Sequence, residues 1–291
     1  MPSTAISSLE VSSIADVRAA VAKARGDGAR VAFVPTMGAL HRGHLSLVER
    51  ARAEADAVVM SIFVNQLQFG PSEDFTRYPR PIEQDTRLAA EAGVDILFTP
   101  SAEEMYGRHR FVTVTAGKRG SLWEGAVRPG HFDGVLTVVA KLFNIVQPDV
   151  AVLGRKDLQQ ATLVKAMVCD LDFPLSIVVA PTIRESDGLA LSSRNIYLSE
   201  EDRSYALALV RSLRAASSAF DGGERDAERL EEVGRLELAA PAIRLDYFAV
   251  VNPESFEREM RAERGSAVIV AARVGPTRLI DNCILGENDQ N

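Results

Sequence analysis

The chain is poor in cysteine: its 291 residues include only Cys169 and Cys283, far apart and in no motif. That usage fits a reducing, cytosolic compartment and reads as two small buried hydrophobes rather than bridges or ligands. No long Lys/Arg run offsets the formal charge of -7, which argues against general binding to nucleic acid or to anionic membranes. No apolar stretch approaches membrane-spanning length, and residues 1–9 lack the basic and apolar regions of a leader. No internal repeat or low-complexity tract is visible. These absences lead to the expectation of a soluble cytoplasmic protein, and any anionic substrate must be met by local cations.

Hydrophobic residues make up 46% of the sequence, ample for a core, and the length allows about two domains. Ser13 is placed to cap a helix reaching residue 24, with Ile14, Val17 and Val21 on one face. Short apolar runs then alternate with helical patterns. Strands are expected at 31–34, 57–64, 95–98, 150–153 and 175–180, and helices at 43–54, 82–92, 135–146 and 157–171. Such alternation predicts an α/β, Rossmann-like, doubly wound parallel sheet, whose ligands bind beyond the carboxyl ends of the strands. After about residue 182 the pattern changes to helices at 200–220 and 225–238, followed by apolar runs at 244–251, 267–272 and 278–284. This predicts a smaller C-terminal α+β domain. The boundary is placed at 185, giving domains 1–185 and 186–291, and the last few residues are expected to fray.

The segment Pro35-Thr36-Met37-Gly38-Ala39-Leu40-His41-Arg42-Gly43-His44 follows the first of these apolar runs. A strand, a glycine-bearing turn and His-x-Gly-His opening a helix suit nucleotide phosphates. The glycines admit close backbone approach, and the helix offers unpaired N–H groups and the positive end of its dipole. Two imidazoles three residues apart share one face and can donate to phosphate oxygens. A helix-surface pair or part of a metal site are the alternatives, and Arg42, standing where a metalloprotease would carry glutamate, is a poor neighbour for a cation.

Gly154-Arg155-Lys156-Asp157-Leu158-Gln159-Gln160 repeats the strand-to-helix arrangement. Lys156 is suited to hold phosphate oxygens as a point charge; Asp157 serves equally well as a helix cap, and Gln160 lies one turn beyond the lysine. Leu191-Ser192-Ser193-Arg194-Asn195 offers hydroxyls and a guanidinium as an anion clamp, or is an ordinary serine-rich turn. Asn65 and Gln68, ending a strand, either pair with a carboxylate or hydroxyl without adding charge or are plain turn residues. His131 reads as a structural histidine, His109 as part of a solvated loop and Trp123 as a packing anchor.

In order and spacing, these motifs resemble the pantothenate synthetase (pantoate-β-alanine ligase) family of the nucleotidylyltransferase superfamily, from about Ala32 to Asn282. The resemblance implies adenylation of pantoate by ATP with release of pyrophosphate, then attack by β-alanine with release of AMP. It implies that His41, His44 and Lys156 act on the ATP phosphates, joined by Ser192, Ser193 and Arg194 as a lid, with Met37, Gly154 and Asp157 lining the nucleotide site. Pantoate would be bound by Gln68 and Gln160, with Asn65 nearby. It also implies Mg²⁺ on the phosphates, with no metal ligands assigned in the protein, and a homodimer. Three positions depart from the family pattern. Glutamate is usual at Arg155, an aromatic at Leu158, where leucine is expected to loosen packing, and proline at Gln66. A nucleotidyltransferase acting on a phosphate acceptor, or a non-catalytic nucleotide-binding protein, are the competing readings. The neutral Asn65, Gln68 and Gln160 disfavour the first, and the presence of His44, Lys156 and the serine clamp the second.

Overall fold

The computed structural model describes residues 8–71, 73–108 and 111–287; His109 and the last four residues lie outside them. The apolar runs of the first half form one parallel sheet of six strands: β1 (Leu9–Val11), β2 (Val31–Thr36), β3 (Ala57–Ile62), β4 (Ile96–Phe98), β5 (Val150–Gly154) and β6 (Ser176–Ala180). Their order is β1-β4-β3-β2-β5-β6, and every pairing is parallel. Strand β1 escaped the periodicity reading because three residues are too few to show alternation.

Helices cover both faces. Leu47, Val48 and Ala51 of α2 (Arg42–Glu54) and Ala89 of α3 (Ile82–Ala92) pack on Val34, Val58, Met60 and Leu97. On the other face α1 (Ile14–Gly26) and α6 (His131–Val146) cover the sheet, and Phe143 meets Phe33 edge to face at 6.3 Å. Ser13 caps α1 as expected, accepting from the Asp16 N–H. A sheet buried on both sides explains why its central strands read as continuous rather than alternating apolar runs. Between β2 and β5 the order reverses, the place where such sheets leave a crevice at their carboxyl edge.

Short helices α4 (Ala102–Tyr106) and α5 (Glu124–Val127) precede α6, and α7 (Leu158–Asp170) follows β5. Cys283 is buried as expected, whereas Cys169 is exposed; Val164, Met167 and Val168 take the core-facing positions of α7.

The later chain forms α8 (Glu200–Asp221), α9 (Ala227–Glu237) and an antiparallel sheet of β7 (Ile243–Val251), β8 (Ala267–Val274) and β9 (Thr277–Ile284). Leu209, Leu213 and Leu230 of the helices pack on Phe248, Val250, Val268 and Val270. The other face of this sheet buries Ala249, Val251, Phe256 and Ile269 beneath Trp123, Leu158 and Tyr247. Leu158 is therefore a packing residue rather than a loosened one. Trp123 is a packing anchor, and its indole also donates to the Phe256 carbonyl at 2.7 Å.

Packing divides the chain into two compact units. One comprises the chain through Gly120 with Arg128–Arg155 and Leu163–Ala180; the other comprises Ser121–Val127, Lys156–Thr162 and the chain from Pro181 onward. Two short segments from before the expected boundary thus pack with the second unit. No helix among the described residues is long and apolar enough to cross a membrane.

Candidate active site

At the carboxyl end of β2 the chain makes a tight turn. Gly38 has φ +80° and Ala39 φ +50°; a Cβ on Gly38 would lie 2.8 Å from Ile62 Cγ2 and 2.9 Å from Asp85 Oδ2. Glycine is required here by both conformation and space. The turn then delivers His41 to the N-cap position of α2.

The two histidines cap the helix reciprocally. Gly43 N–H donates to His41 Nδ1 at 3.1 Å and His41 N–H donates to His44 Nδ1 at 3.3 Å. The rings lie 4.1 Å apart between centroids, tilted by 32°. Sequence reasoning expected the helix to offer such N–H groups directly to an anion; instead those of His41 and Gly43 are taken by imidazole. With Nδ1 accepting, the ring proton belongs on Nε2. Each ring thus receives a backbone hydrogen bond on Nδ1 and carries its N–H on the other nitrogen.

The carboxyl end of β3 supplies the neighbouring group. Asn65 is buried, and its amide is fully engaged within the protein. Oδ1 accepts from Leu67 N–H at 3.2 Å and from the Tyr106 hydroxyl at 2.6 Å, while Nδ2 donates to Gln68 Oε1 and to the Gly134 carbonyl, each at 3.1 Å. Gln68 in turn donates through Nε2 to Met37 Sδ at 3.0 Å. The structure thus brings Asn65, Gln68 and Met37 together beside the histidine turn. Gly134 admits this approach: a Cβ there would lie 2.2 Å from the Leu67 carbonyl oxygen.

Beneath Gln68, the buried His131 is the structural histidine expected. Its Nδ1–H donates to the Gln68 carbonyl at 2.8 Å, and its Nε2 lies 3.2 Å from Arg128 Nη1. Arg128 also donates to both oxygens of Glu73, at 2.7 and 2.6 Å. Burial alone would raise the Glu73 carboxyl; the Arg128 hydrogen bonds and charge outweigh it and hold the group below its ordinary value.

In the second unit, Lys156 and Asp157 lie in a 3-10 turn, Arg155–Asp157, that opens α7. Asn282 Nδ2 pins the Lys156 carbonyl at 3.0 Å, and the ammonium sits 3.8 Å from Asp157. Arg155 and Gln160 are half-buried. Gln159 is buried and structural, donating to the Leu122 carbonyl and accepting from Glu124 N–H. Ser192 accepts from Arg194 N–H at 3.2 Å and so caps the short 3-10 helix Ser193–Tyr197. Asn195 ties that turn to Glu185 and to the Ala190 carbonyl. Gly154, the last residue of β5, belongs to the first unit.

Sequence reasoning passed over Asp85, Glu73 and Tyr106. Asp85 left a signal: it stands four residues before Ala89, on the face of an amphipathic helix that should be apolar.

A doubly wound α/β fold with a histidine-capped helix at the carboxyl edge defines the class: a Rossmann-like α/β protein. The pantoate-β-alanine ligase family model matches residues 10–284. A pantothenate synthetase of Acidothermus cellulolyticus is 54% identical over 95% of this chain and 91% of its own. That of Thermus thermophilus superposes with a TM-score of 0.91 at 51% identity, covering 95% of this chain and 99% of its own. The Francisella tularensis pantoate-β-alanine ligase, solved with β-γ ATP and β-alanine, has a TM-score of 0.79 at 33% identity, covering 96% and 98%. The chain belongs to the pantoate-β-alanine ligase family and is a ligase.

Proposed function

We propose that this ligase forms pantothenate from pantoate, β-alanine and ATP through a pantoyl-adenylate intermediate. A pantoate carboxylate oxygen attacks the α-phosphorus of ATP and pyrophosphate leaves. The β-alanine amine then attacks the acyl carbon, loses a proton, and AMP departs with the electrons of the broken C–O bond. A carboxylate acylates only once its oxygen carries a good leaving group, and adenylation supplies one without any protein nucleophile.

The observation that carries this reading is the interlocked histidine cap. His41 and His44 present Nε2–H donors to phosphate oxygens, where charge on the transferring phosphoryl group grows in the transition state. Lys156 adds a point charge, with Ser192, Ser193 and Arg194 closing on the phosphates and Met37, Gly154 and Asp157 lining the nucleotide. Gln68 and Gln160 bind pantoate, and the saturated amide of Asn65 serves by fixing Gln68. Magnesium arrives on the nucleotide, since Mg²⁺ commonly rides on substrate phosphates with water rather than in an all-protein cage. A homodimeric cytoplasmic enzyme completes the proposal.

The test is incubation with ATP, Mg²⁺ and pantoate, with and without β-alanine, following pyrophosphate, AMP and pantothenate. Pantothenate and AMP appearing together only with β-alanine is the expected result. If ATP binds and neither product nor bound adenylate forms, the proposed reaction is wrong.

A further inference from the structure

Asp85 lies on the buried face of α3, with its side chain essentially inaccessible to solvent. Its two oxygens accept from consecutive backbone amides of the histidine turn: Oδ2 from Ala39 and Oδ1 from Leu40, each at 2.8 Å. No cation is paired with it among the described residues, so a buried carboxylate is spent wholly on the backbone of one loop.

That loop needs holding. Gly38 and Ala39 both have positive φ, and a non-glycine residue in the left-handed region persists only where its surroundings impose it. The Gly38 amide is taken by Thr36 Oγ1 at 3.2 Å, and Asp85 fixes the next two. One residue before the turn stands Met37, whose sulfur accepts from Gln68; just after it stands His41, the cap of α2. The carboxylate therefore sets the spacing between the group assigned to pantoate and the pair assigned to the ATP phosphates.

We propose that Asp85 is a positioning residue for the adenylation step, acting through the turn it clamps and not by touching either substrate. This rests on the reaction assigned above. Burial pushes the Asp85 carboxyl up and the Leu40 and Ala39 N–H groups pull it back only in part. Burying a carboxyl whose partners are backbone amides alone is a cost to stability, as is common where a constellation must be held for function.

The discriminating variant is Asp85→Asn, which keeps the shape but turns an NH₂ toward a backbone N–H. Expected is a loss of roughly 10- to 100-fold in pantoate-dependent ATP–pyrophosphate exchange at saturating substrates. Amide formation from chemically prepared pantoyl adenylate and β-alanine should stay within about twofold of wild type. A merely structural role would depress both steps together and would overturn the proposal. Wild-type exchange in Asp85→Asn beside an inactive His44→Ala would also overturn it while leaving the reaction standing. Hydrogen exchange at the Ala39 and Leu40 amides of the unaltered protein judges the clamp even if the variant fails to fold. Strong protection supports it and random-coil rates sink it. Absence of pyrophosphate exchange in the wild type would instead sink the reaction itself.

Discussion

The histidine turn of the first unit and the Ser192–Asn195 turn of the second are anchored by different physics. The first hangs on backbone amides bonded to side chains: the buried Asp85 takes those of Ala39 and Leu40, and the two half-buried imidazoles take those of Gly43 and His41. The second is tied by Asn195 to Glu185 and to the Ala190 carbonyl, in a segment held by ion pairs. Arg184 grips Asp281 through two hydrogen bonds of 2.6 and 3.1 Å, while Arg203 spans Glu185 and Asp187 at 2.9 and 2.7 Å with about a third of each side chain exposed. Hydrogen bonds donated by backbone amides are short-ranged and little affected by salt, so they fix positions. Ion pairs as exposed as those of Arg203, unlike the largely buried Arg184–Asp281 pair, are screened and individually weak, so they hold a segment while letting it adjust. Under the proposed reaction, the contrast suits a rigid element that aligns reacting atoms and a looser one that closes on the nucleotide.

The largest expected effect comes from the rigid turn. His44→Ala should lower pantoate-dependent ATP–pyrophosphate exchange by about 10²- to 10³-fold, as loss of a transition-state donor typically does. The lost cap should cost only about 1 kcal/mol in denaturant unfolding. Turnover close to wild type would show that the turn is rigid for some other reason.

Next comes Gly134→Ala. Its new methyl has nowhere to go but into the Leu67 carbonyl, so the turn bearing Gln68 must shift by a fraction of an ångström or more. We expect kcat/KM for pantoate to fall by about 10- to 100-fold, with a smaller change in the KM for ATP. Equal effects on both substrates would erase the distinction drawn between the Gln68 side and the phosphate side.

Arg203→Ala sharpens the comparison from the other end. It should raise the KM for ATP only a few-fold, and the difference from wild type should shrink as salt rises from about 0.05 to 0.5 M, because the pairs it removes are exposed to screening. A large, salt-independent defect would mean that the second turn is as rigid as the first.

The smallest effect tests the ion pair that the first unit does contain, Arg128 with Glu73. Because the folded Glu73 carboxyl is held below its ordinary value, its contribution is present above the unfolded value and disappears as pH falls through the folded one. The melting temperature of Glu73→Gln should therefore lie below wild type at neutral pH. The gap should close as the pH falls below the ordinary glutamate value of about 4.3.

Much of this architecture was legible in the chain. Continuous apolar runs at 31–34 and 150–153 marked strands buried on both faces, and Ser13 announced α1, because each rests on interactions within a few residues. That the Asn65 amide would be engaged by Leu67, Tyr106, Gln68 and Gly134 was not legible, because Tyr106 and Gly134 lie 41 and 69 positions away. Exposure of Cys169 was not legible either, since it depends on which face of α7 meets the sheet.

By itself the sequence determined the alternating elements and the strand-to-helix turns that carry His41, His44 and Lys156, which follow from local periodicity and short spacings. Its ordered motifs also resemble those of the family to which the chain belongs. Only the tertiary structure decided that the imidazoles would take up the helix's own amides, and that Gln68 would reach Met37. It alone placed a carboxylate 45 positions from Leu40 to hold the histidine turn. Backbone hydrogen bonds to side chains carry no residue code at the amide end, so no pattern in the chain announces them.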